Sequence, residues 1–411
     1  MQSNFITIKY KFVKLYNKFF GGTHMKQKII TKLNTIKDDV ISLSKYLYDN
    51  PEESFHEYKA CTYIIDMLKA HKFQVKTSYL DIPTAFYAQY GTGHPKICYI
   101  CEYDAMKDFG HVTGHNLLSS ISIGAAISLS EIIKEKNGSV IVLGCPGEFK
   151  GNSKITMVKQ GTFDDIDIVL IAHPNTINAE NYSSRAIIPI EINYRSSYGF
   201  NDRKSNEYSA LDACLFTFNT LNLLKKGFLE GSVIDNILLS GDNSPYLMPN
   251  QTKSRFHISS KNMSTAYTIE KKIRELVKTA GFIMDIYSEI YIYESPCDEL
   301  VSNPVLSRIF FHNLKESGII DIECCEDTNL GLSLGSVSHI VPCIHPYISI
   351  TEDKNLKYSS LEFASATTSY FAQSVALKTA QALALTGLDL IENNSLLGEV
   401  KSEFYNLKKR D

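Results

Sequence analysis

The 411-residue sequence lacks several features that would place it in a class at once. It has 42 basic against 45 acidic residues and no block of like charge, so it offers no basic surface of the kind that nucleic acid requires. Its nine cysteines follow no paired spacing, which favours free thiols in a reducing compartment, here predicted to be the cytoplasm. No uninterrupted apolar run approaches the roughly 20 residues of a membrane helix, so a membrane is not expected as a partner.

The first 24 residues alternate lysine with aromatic and aliphatic residues and lack the continuous apolar stretch of a secretory signal. Two interpretations stay open for residues 1–24. In the first, these residues are an untranslated or disordered extension, and the true start is Met25; Gly21-Gly22-Thr23-His24 can be encoded by a ribosome-binding sequence, which favours this interpretation. In the second, they form a short basic amphipathic arm.

The densest run of possible ligands lies between Glu102 and Asn116, after the strand-like segment 97–101 and before a predicted helix. Two further apolar runs, 139–144 and 166–172, are typical of buried strands and lead into Glu148 and His173. Open α/β sheets build their sites at the carboxyl ends of strands. We therefore expect a shared site, formed by Glu102, Asp104, His115, Glu148 and His173.

The order of predicted elements indicates an α/β domain interrupted by an insert. Residues 25–184 combine helices, strands and βα units, which is typical of a mixed central sheet. Residues 185–298 read as a compact α+β insert with two helices on a small sheet. Residues 299–411 return to the first domain and end in an Ala/Leu-rich stretch, 363–390, predicted to form one long helix.

Several short motifs occur in an order that resembles the amidohydrolase branch of the M-twenty family of metallopeptidases, the aminoacylase, hippurate-hydrolase and dipeptidase group. These motifs are Asn50-Pro51-Glu52, Glu102-Tyr103-Asp104-Ala105, Gly114-His115-Asn116, Pro146-Gly147-Glu148 and His173-Pro174. The Glu-Tyr-Asp-Ala and His-Asn variants resemble the dipeptidase and aminobenzoyl-glutamate-hydrolase subgroup. The resemblance covers nearly the whole chain from Met25.

The resemblance implies a zinc-peptidase-like catalytic domain with an inserted α+β lid that also serves for dimerisation. In the family, two metal ions held by Cys, Glu and three His polarise an amide carbonyl and bind the attacking water. Carried over to this chain, Glu148 is the general base, and His115 and His173 are metal ligands. The implied substrate is a dipeptide or an N-acyl amino acid, and the implied assembly is a homodimer formed through the lid.

Three of the five expected metal ligands are replaced. Thr113 stands at the bridging Cys position, Phe149 at the second Glu position, and Ser359, or its neighbour Tyr358, at the late His position. A neutral hydroxyl is a poor bridge between two cations, and a phenyl ring cannot ligate. A site for one zinc or manganese ion stays open, built from His115, His173 and a carboxylate, for which we choose Glu102, with Glu148 and Asp104 in catalytic roles.

The sequence leaves three functions open. The first is a metal-dependent amidohydrolase or dipeptidase with one ion. The second is an inactive homologue without a metal that binds a small ligand or pairs with a partner, which the three replacements favour. The third is a cysteine nucleophile, either Cys145 beside Glu148 or Cys343 near His345. Structural roles are equally open for some of the polar residues: Asp104 and Asn116 as caps, and His111 as a donor to a loop carbonyl.

Overall fold

The structure is a computed structural model that describes residues 2–180, 183–197, 207–241, 246–324 and 330–409. Within these ranges the side chains of residues 2–23, 180 and 324 are not described. The prediction for residues 1–24 therefore falls almost wholly outside the described side chains. Contacts divide the chain into two units, the first made of Met1–Tyr182, Val301–Glu326 and Val337–Asp411, and the second of Ser183–Leu300 and Asp327–Ser336.

The first unit is built on a six-stranded mixed sheet. Its helices are α1 (Gln2–Asp49), α2 (Tyr58–Ala70), α3 (His115–Ile133), α4 (Ser153–Lys159), α7 (Pro304–Glu316), α9 (Leu361–Ala366), α10 (Tyr370–Glu392) and α11 (Asn394–Lys408), and the short α8 (Leu334–Ser338) spans the division between the units. Its strands are β1 (Gln74–Thr77), β2 (Phe86–Gly91), β3 (Lys96–Cys101), β4 (Ser139–Gly144), β5 (Ile168–Leu170), β6 (His173–Asn175), β7 (Ala179–Glu180), β12 (Glu323–Cys324), β13 (Cys343–Ile344) and β14 (Tyr347–Ser349).

The large sheet has the strand order β1-β2-β4-β3-β5-β13. β3 pairs in parallel with β4 and β5, whereas β2 runs antiparallel to β4. The central strands β3 and β4 are buried on both faces, as expected for near-continuous runs of Val, Ile, Leu and Cys. A smaller sheet has the order β12-β7-β14-β6. In it β6 pairs in parallel with β14, which places His173 opposite Tyr347.

Helix α3 packs against α1 and α10 in the core of this unit. By length and mean hydropathy α3 could cross a membrane, although it is not an uninterrupted apolar run; 94% of that stretch is buried inside the protein, which is the position of a core helix. Its serines interrupt the apolar run but can be buried, because their hydroxyls bond to backbone carbonyls; Ser122, for example, donates to the carbonyl of Ile100.

The second unit is an α+β structure. Its strands β8 (Ala186–Arg195), β9 (Val233–Ser240), β10 (Gln251–Ser260) and β11 (Tyr287–Ile292) form a sheet in the order β11-β8-β10-β9, with all pairs antiparallel. Helices α5 (Ala210–Leu224) and α6 (Met263–Met284) pack on one face of this sheet. Two 3₁₀ turns, Tyr79–Asp81 in the first unit and Lys225–Gly227 in the second, complete the described elements.

The predicted fold class, a mixed-sheet α/β domain with an inserted α+β domain, is confirmed. Two local predictions were wrong. The stretch 363–390 is not one helix, because Ser369 ends the connection after α9 and caps α10 by accepting a hydrogen bond from the Ala372 amide. The run 166–172 contains only the short strand β5, and His173 begins a strand of its own, β6.

Candidate functional site

Glu102, His115 and His173 converge in the first unit at the ends of secondary-structure elements. Glu102 directly follows β3, His115 is the first residue of α3, and His173 is the first residue of β6. All three are at most 5% exposed. Each offers one ligand atom, and these atoms lie within 4.8 Å of one another. The arrangement gives three protein ligands on one centre, the number that a catalytic zinc site uses.

A glycine allows the two histidines to approach. Gly114 has φ +80°, a left-handed conformation that glycine adopts without strain. A Cβ atom at this position would lie only 2.9 Å from Cβ of Pro174, the residue after His173. Any side chain here would push the segment that carries His115 away from the one that carries His173.

The side chain of Asp104 holds His115 in place. Its Oδ1 lies 2.9 Å from His115 Nδ1, and its Oδ2 accepts hydrogen bonds from Ser54 Oγ at 2.8 Å and from the Phe149 backbone amide at 3.0 Å. Burial would raise the pKa of Asp104, but His115 and these donors outweigh it and lower the pKa below its usual range. Asp104 therefore orients the imidazole, so that Nε2 points to Glu102, 3.5 Å away.

His115 and His173 differ in their charge. Burial lowers the pKa of His115, yet the Asp104 carboxylate outweighs it and the pKa is raised to about 9. Burial together with His345 and His115 lowers the pKa of His173 well below its usual range. His173 donates Nδ1–H to the carbonyl of Pro174 at 2.9 Å, which fixes the tautomer whose Nε2 carries a lone pair. An ion at this centre would have to displace the proton of His115.

Glu148 and Glu102 share a buried cation that the sequence did not reveal. Lys154, in α4, is 1% exposed, and its Nζ lies 2.7 Å from Glu102 Oε1 and 2.5 Å from Glu148 Oε2. Burial would lower the pKa of Lys154, but the two carboxylates outweigh it and raise the pKa above its usual range. Lys154 is therefore an ammonium ion, and Glu148, the candidate base, is held by it.

The three substituted positions supply no anionic ligand. The Thr113 hydroxyl is buried and has no hydrogen-bond partner among the described residues. The Phe149 ring stacks on the His115 imidazole with centroids 5.1 Å apart. Ser359 is exposed with φ +61°, and it is the ring of Tyr358 that lies 6.2 Å from the ring of His173. These residues do not fit a two-ion centre, whereas Glu102, His115 and His173 fit one divalent ion.

A second neighbour of the site, His345, packs against His173 with ring centroids 5.3 Å apart. Burial lowers the pKa of His345 to about 4, so this imidazole is neutral. From its position on the ring of His173, His345 forms a wall of the site together with Tyr347.

The segment from Glu52 to Glu57 hydrogen-bonds to the backbone of residues next to Asp104 and Glu148. The Glu52 carbonyl accepts a hydrogen bond from the Ala105 amide at 2.8 Å, and Glu57 Oε1 accepts one from the Gly147 amide at 2.9 Å. Burial raises the pKa of Glu57 to about 7. Of this segment, sequence reasoning had recognised only the Asn-Pro-Glu motif. The hydrogen bond between Glu57 and Gly147, 90 positions away, has no signature in the sequence.

The contacts also bear on the structural roles and the cysteine nucleophiles that the sequence left open. His111 donates to a backbone carbonyl, but the acceptor, Leu47, lies in α1 and not in a loop as the structural alternative had it. Asn116 does not cap α3, whose N-cap is Gly114; it donates to Ser44 and Thr367 instead. Burial raises the pKa of Cys145 to about 12 and raises that of Cys343 as well, so both thiols stay protonated and are poor nucleophiles.

Comparison with known proteins agrees with this architecture. The chain is 28% identical over 407 residues to a mouse Xaa-Arg dipeptidase, with 92% of each chain covered. It is 26% identical over 300 residues to a p-aminobenzoyl-glutamate hydrolase subunit from Escherichia coli, and the match covers 67% of this chain and 62% of the relative. The chain is thus similar to amide-cleaving enzymes of the kind that the motifs resemble, the amidohydrolase branch of the M-twenty metallopeptidases. The resemblance inferred from the motifs is thus confirmed.

The M-twenty fold is also found among solved structures. A dinuclear metal-binding peptidase of the M-twenty family from Bacillus subtilis matches with a TM-score of 0.62 and 14% identity, over 87% of this chain and 99% of that chain. No family profile matches the sequence. The similarity to this M-twenty branch therefore rests on the two relatives and the shared fold.

Proposed function

We propose that the protein binds a dipeptide or an N-acyl amino acid at the site of Glu102, His115, Glu148 and His173, without the two-metal hydrolysis of its family. The observation that carries this proposal is the contact of Lys154 Nζ with both Glu102 and Glu148. A general base needs an oxygen available to take a proton from water. In this chain an ammonium ion bonds to that carboxylate.

The names of the two relatives support the ligand class. A Xaa-Arg dipeptidase and a p-aminobenzoyl-glutamate hydrolase both act on an amide bond between an acyl group and an amino acid. The neutral imidazole of His173 could accept a hydrogen bond at Nε2 from such an amide. The ligand proposed here is therefore an amide of this kind.

The test is a comparison of binding with turnover on the same preparation. Dipeptides ending in arginine and p-aminobenzoyl-glutamate are titrated by calorimetry in chelator, then with Mn²⁺ or Zn²⁺, and product is followed by chromatography. We expect saturable binding of at least one compound and no product above the blank. Rapid product formation would overturn the proposal, and so would the absence of binding across the series.

Hydrolysis with a single ion is the second candidate, favoured by the 4.8 Å cluster of Glu102, His115 and His173. A divalent ion at this centre would polarise an amide carbonyl and make bound water more acidic. The protein's own part is to keep His115 oriented through Asp104. The test is metal content by plasma mass spectrometry on protein purified without chelator or His tag. About one ion per chain, lost in His115→Ala but kept in the surface control His312→Ala, would support it.

We further propose that the second unit forms the homodimer contact through strand β9. β9 lies at the edge of its sheet in the described residues, and its consecutive residues Ile237, Leu238 and Leu239 are 57%, 45% and 43% exposed. An exposed apolar edge strand invites pairing with another strand. We expect a dimer by light scattering that dissociates in Leu238→Lys, whereas Leu229→Lys, at a 69% exposed leucine outside the strand, leaves it intact. A monomeric wild-type protein would contradict this proposal.

A further inference from the structure

Lys154 occupies the position between two carboxylates that a divalent ion could take. We propose that the Lys154 ammonium is a built-in cation that excludes a divalent ion from the pair Glu102 and Glu148, so that this pair needs no metal to be neutralised. The inference deepens the proposed function, on which it rests for the identity of the site. It assigns a role to a residue that neither the motifs nor the relatives had pointed to.

The distances indicate that a divalent ion and Lys154 would compete for the same two carboxylate oxygens. Glu102 Oε1 and Glu148 Oε2 lie 2.7 Å and 2.5 Å from the same nitrogen. Zn²⁺ takes carboxylate oxygens at about 2.0–2.2 Å, so an ion at the place of Nζ would require each oxygen to move by only about half an ångström. The two positions overlap, because an ammonium nitrogen and an ion cannot both lie within such distances of the same oxygens.

Burial makes this contact a strong one. The side chains of Lys154 and Glu102 are 1% and 4% exposed, so water does not screen their interaction as it does at a surface salt bridge. The same low exposure would place a divalent ion and the ammonium in direct repulsion if both entered. Either cation can neutralise the pair, but only one at a time.

The local charge is consistent with this exclusion. Three carboxylates, Glu102, Asp104 and Glu148, lie in the cluster, and Asp104 is already bonded to His115. Lys154 supplies an ammonium in contact with the other two. The second oxygen of Glu102, Oε2, faces His115 Nε2 at 3.5 Å and stays outside the lysine contact. Loss of the lysine therefore removes the cation that this carboxylate pair shares without disturbing the histidine side of the cluster.

The experiment replaces the ammonium and counts ions. Full-length wild-type protein, Lys154→Met, Lys154→Arg and the control Lys159→Met, at an exposed position of the same helix, are stripped with chelator and dialysed against Mn²⁺ or Zn²⁺. Ions per chain are measured by plasma mass spectrometry and affinity by calorimetry. We expect Lys154→Met to bind one more ion per chain than the wild type, and Lys154→Arg and Lys159→Met to match the wild type.

Equal ion counts in Lys154→Met and wild-type protein would overturn the inference, as would a gain of an ion in Lys154→Arg, which keeps the positive charge. If Lys154→Met unfolds in chelator, it is refolded with Mn²⁺ and compared with Lys154→Gln. Recovery supports exclusion by the ammonium, whereas failure of both variants to recover counts against it. An extra ion in Lys154→Met without ligand binding by the wild type would contradict the proposed function alone.

Discussion

Two buried carboxylate clusters, one in each unit, are neutralised in different ways. In the first unit, Glu102 and Glu148 share Lys154, whose side chain is 1% exposed. In the second unit, Glu191 is also 1% exposed, but its partners Arg255 and Lys253 are 41% and 37% exposed. Solvent reaches the cations of the second cluster and not that of the first. The two clusters therefore differ in how much each charge depends on its partner.

The difference separates a scaffold from a site. Glu191 lies in register with Arg255 on β10 and Tyr291 on β11, and both donate hydrogen bonds to it. This is a cross-strand ladder that ties three strands together. In the first unit one cation serves two carboxylates, and Glu102 Oε2 faces an imidazole instead of a lysine or arginine side chain. Of these two clusters, the one in the first unit retains ligating capacity.

Removing the buried cation Lys154 is the most direct test of the difference between the two clusters. In Lys154→Met, the buried Glu102 and the partly buried Glu148 lose their shared cation, and we expect the free energy of unfolding in chelator to fall by about 3–5 kcal/mol. The measurement is urea unfolding at pH 7. The matched change Lys253→Met in the second unit should cost about 1 kcal/mol or less, because that cation is partly exposed. Equal losses in the two variants would show that burial of the cation does not matter.

Glu57 is a third buried carboxyl and differs from the other two, because no described residue forms an ion pair with it. It is held by the Gly147 amide and the Thr84 hydroxyl, and burial raises its pKa from 4.5 to about 7. Folding therefore favours the protonated form. Its contribution to stability is fully present below pH 4.5 and is lost as the pH rises to about 7.

The variant Glu57→Gln cannot ionise and should not show this loss. From pH 4.5 to pH 8, its unfolding free energy is expected to rise relative to the wild type by up to about 3 kcal/mol. Urea unfolding at several pH values measures the difference. Glu53→Gln, at an exposed position, is the control and should follow the wild type. Parallel pH curves for Glu57→Gln and the wild type would mean that Glu57 titrates normally.

Much of this architecture could be predicted from the sequence because it follows local patterns. The β-branched run 139–144, for example, coincides with β4. Glu102, His115 and His173 could be expected together because each adjoins a predicted strand or helix end. A period or a turn residue encodes such features within a few positions.

The partners of these residues could not be predicted in the same way. Lys154 lies in a polar stretch after Glu148, where a lysine is ordinarily solvated, and its contact with Glu102 spans 52 positions. The hydrogen bond between Glu57 and Gly147 spans 90. Such pairs are set by how the chain packs over long distances. Burial then decides whether a lysine is a solvated surface group or an internal cation, and composition cannot show burial.

The smallest expected effect belongs to the scaffold cluster. Burial would raise the pKa of Glu191, but hydrogen bonds from Tyr291, Arg255 and Lys253 outweigh it and lower the pKa from 4.5 to about 2. Its stabilisation is therefore present above pH 4.5 and lost as the pH falls toward 2. Because its cations are partly exposed, we discount the effect to about 1 kcal/mol.

In Glu191→Gln this loss should be absent, so its free energy of unfolding should fall less steeply with decreasing pH than that of the wild type. The control Glu289→Gln, at an exposed position, should match the wild type. High salt should reduce the difference, because screening acts on partly exposed cations. The cost of Lys154→Met should change less with salt, since Lys154 and Glu102 are only 1% and 4% exposed. If both clusters responded equally to salt, the distinction between an internal cation and a solvated ladder would fail, and with it the reason for assigning ligand capacity to only one of them.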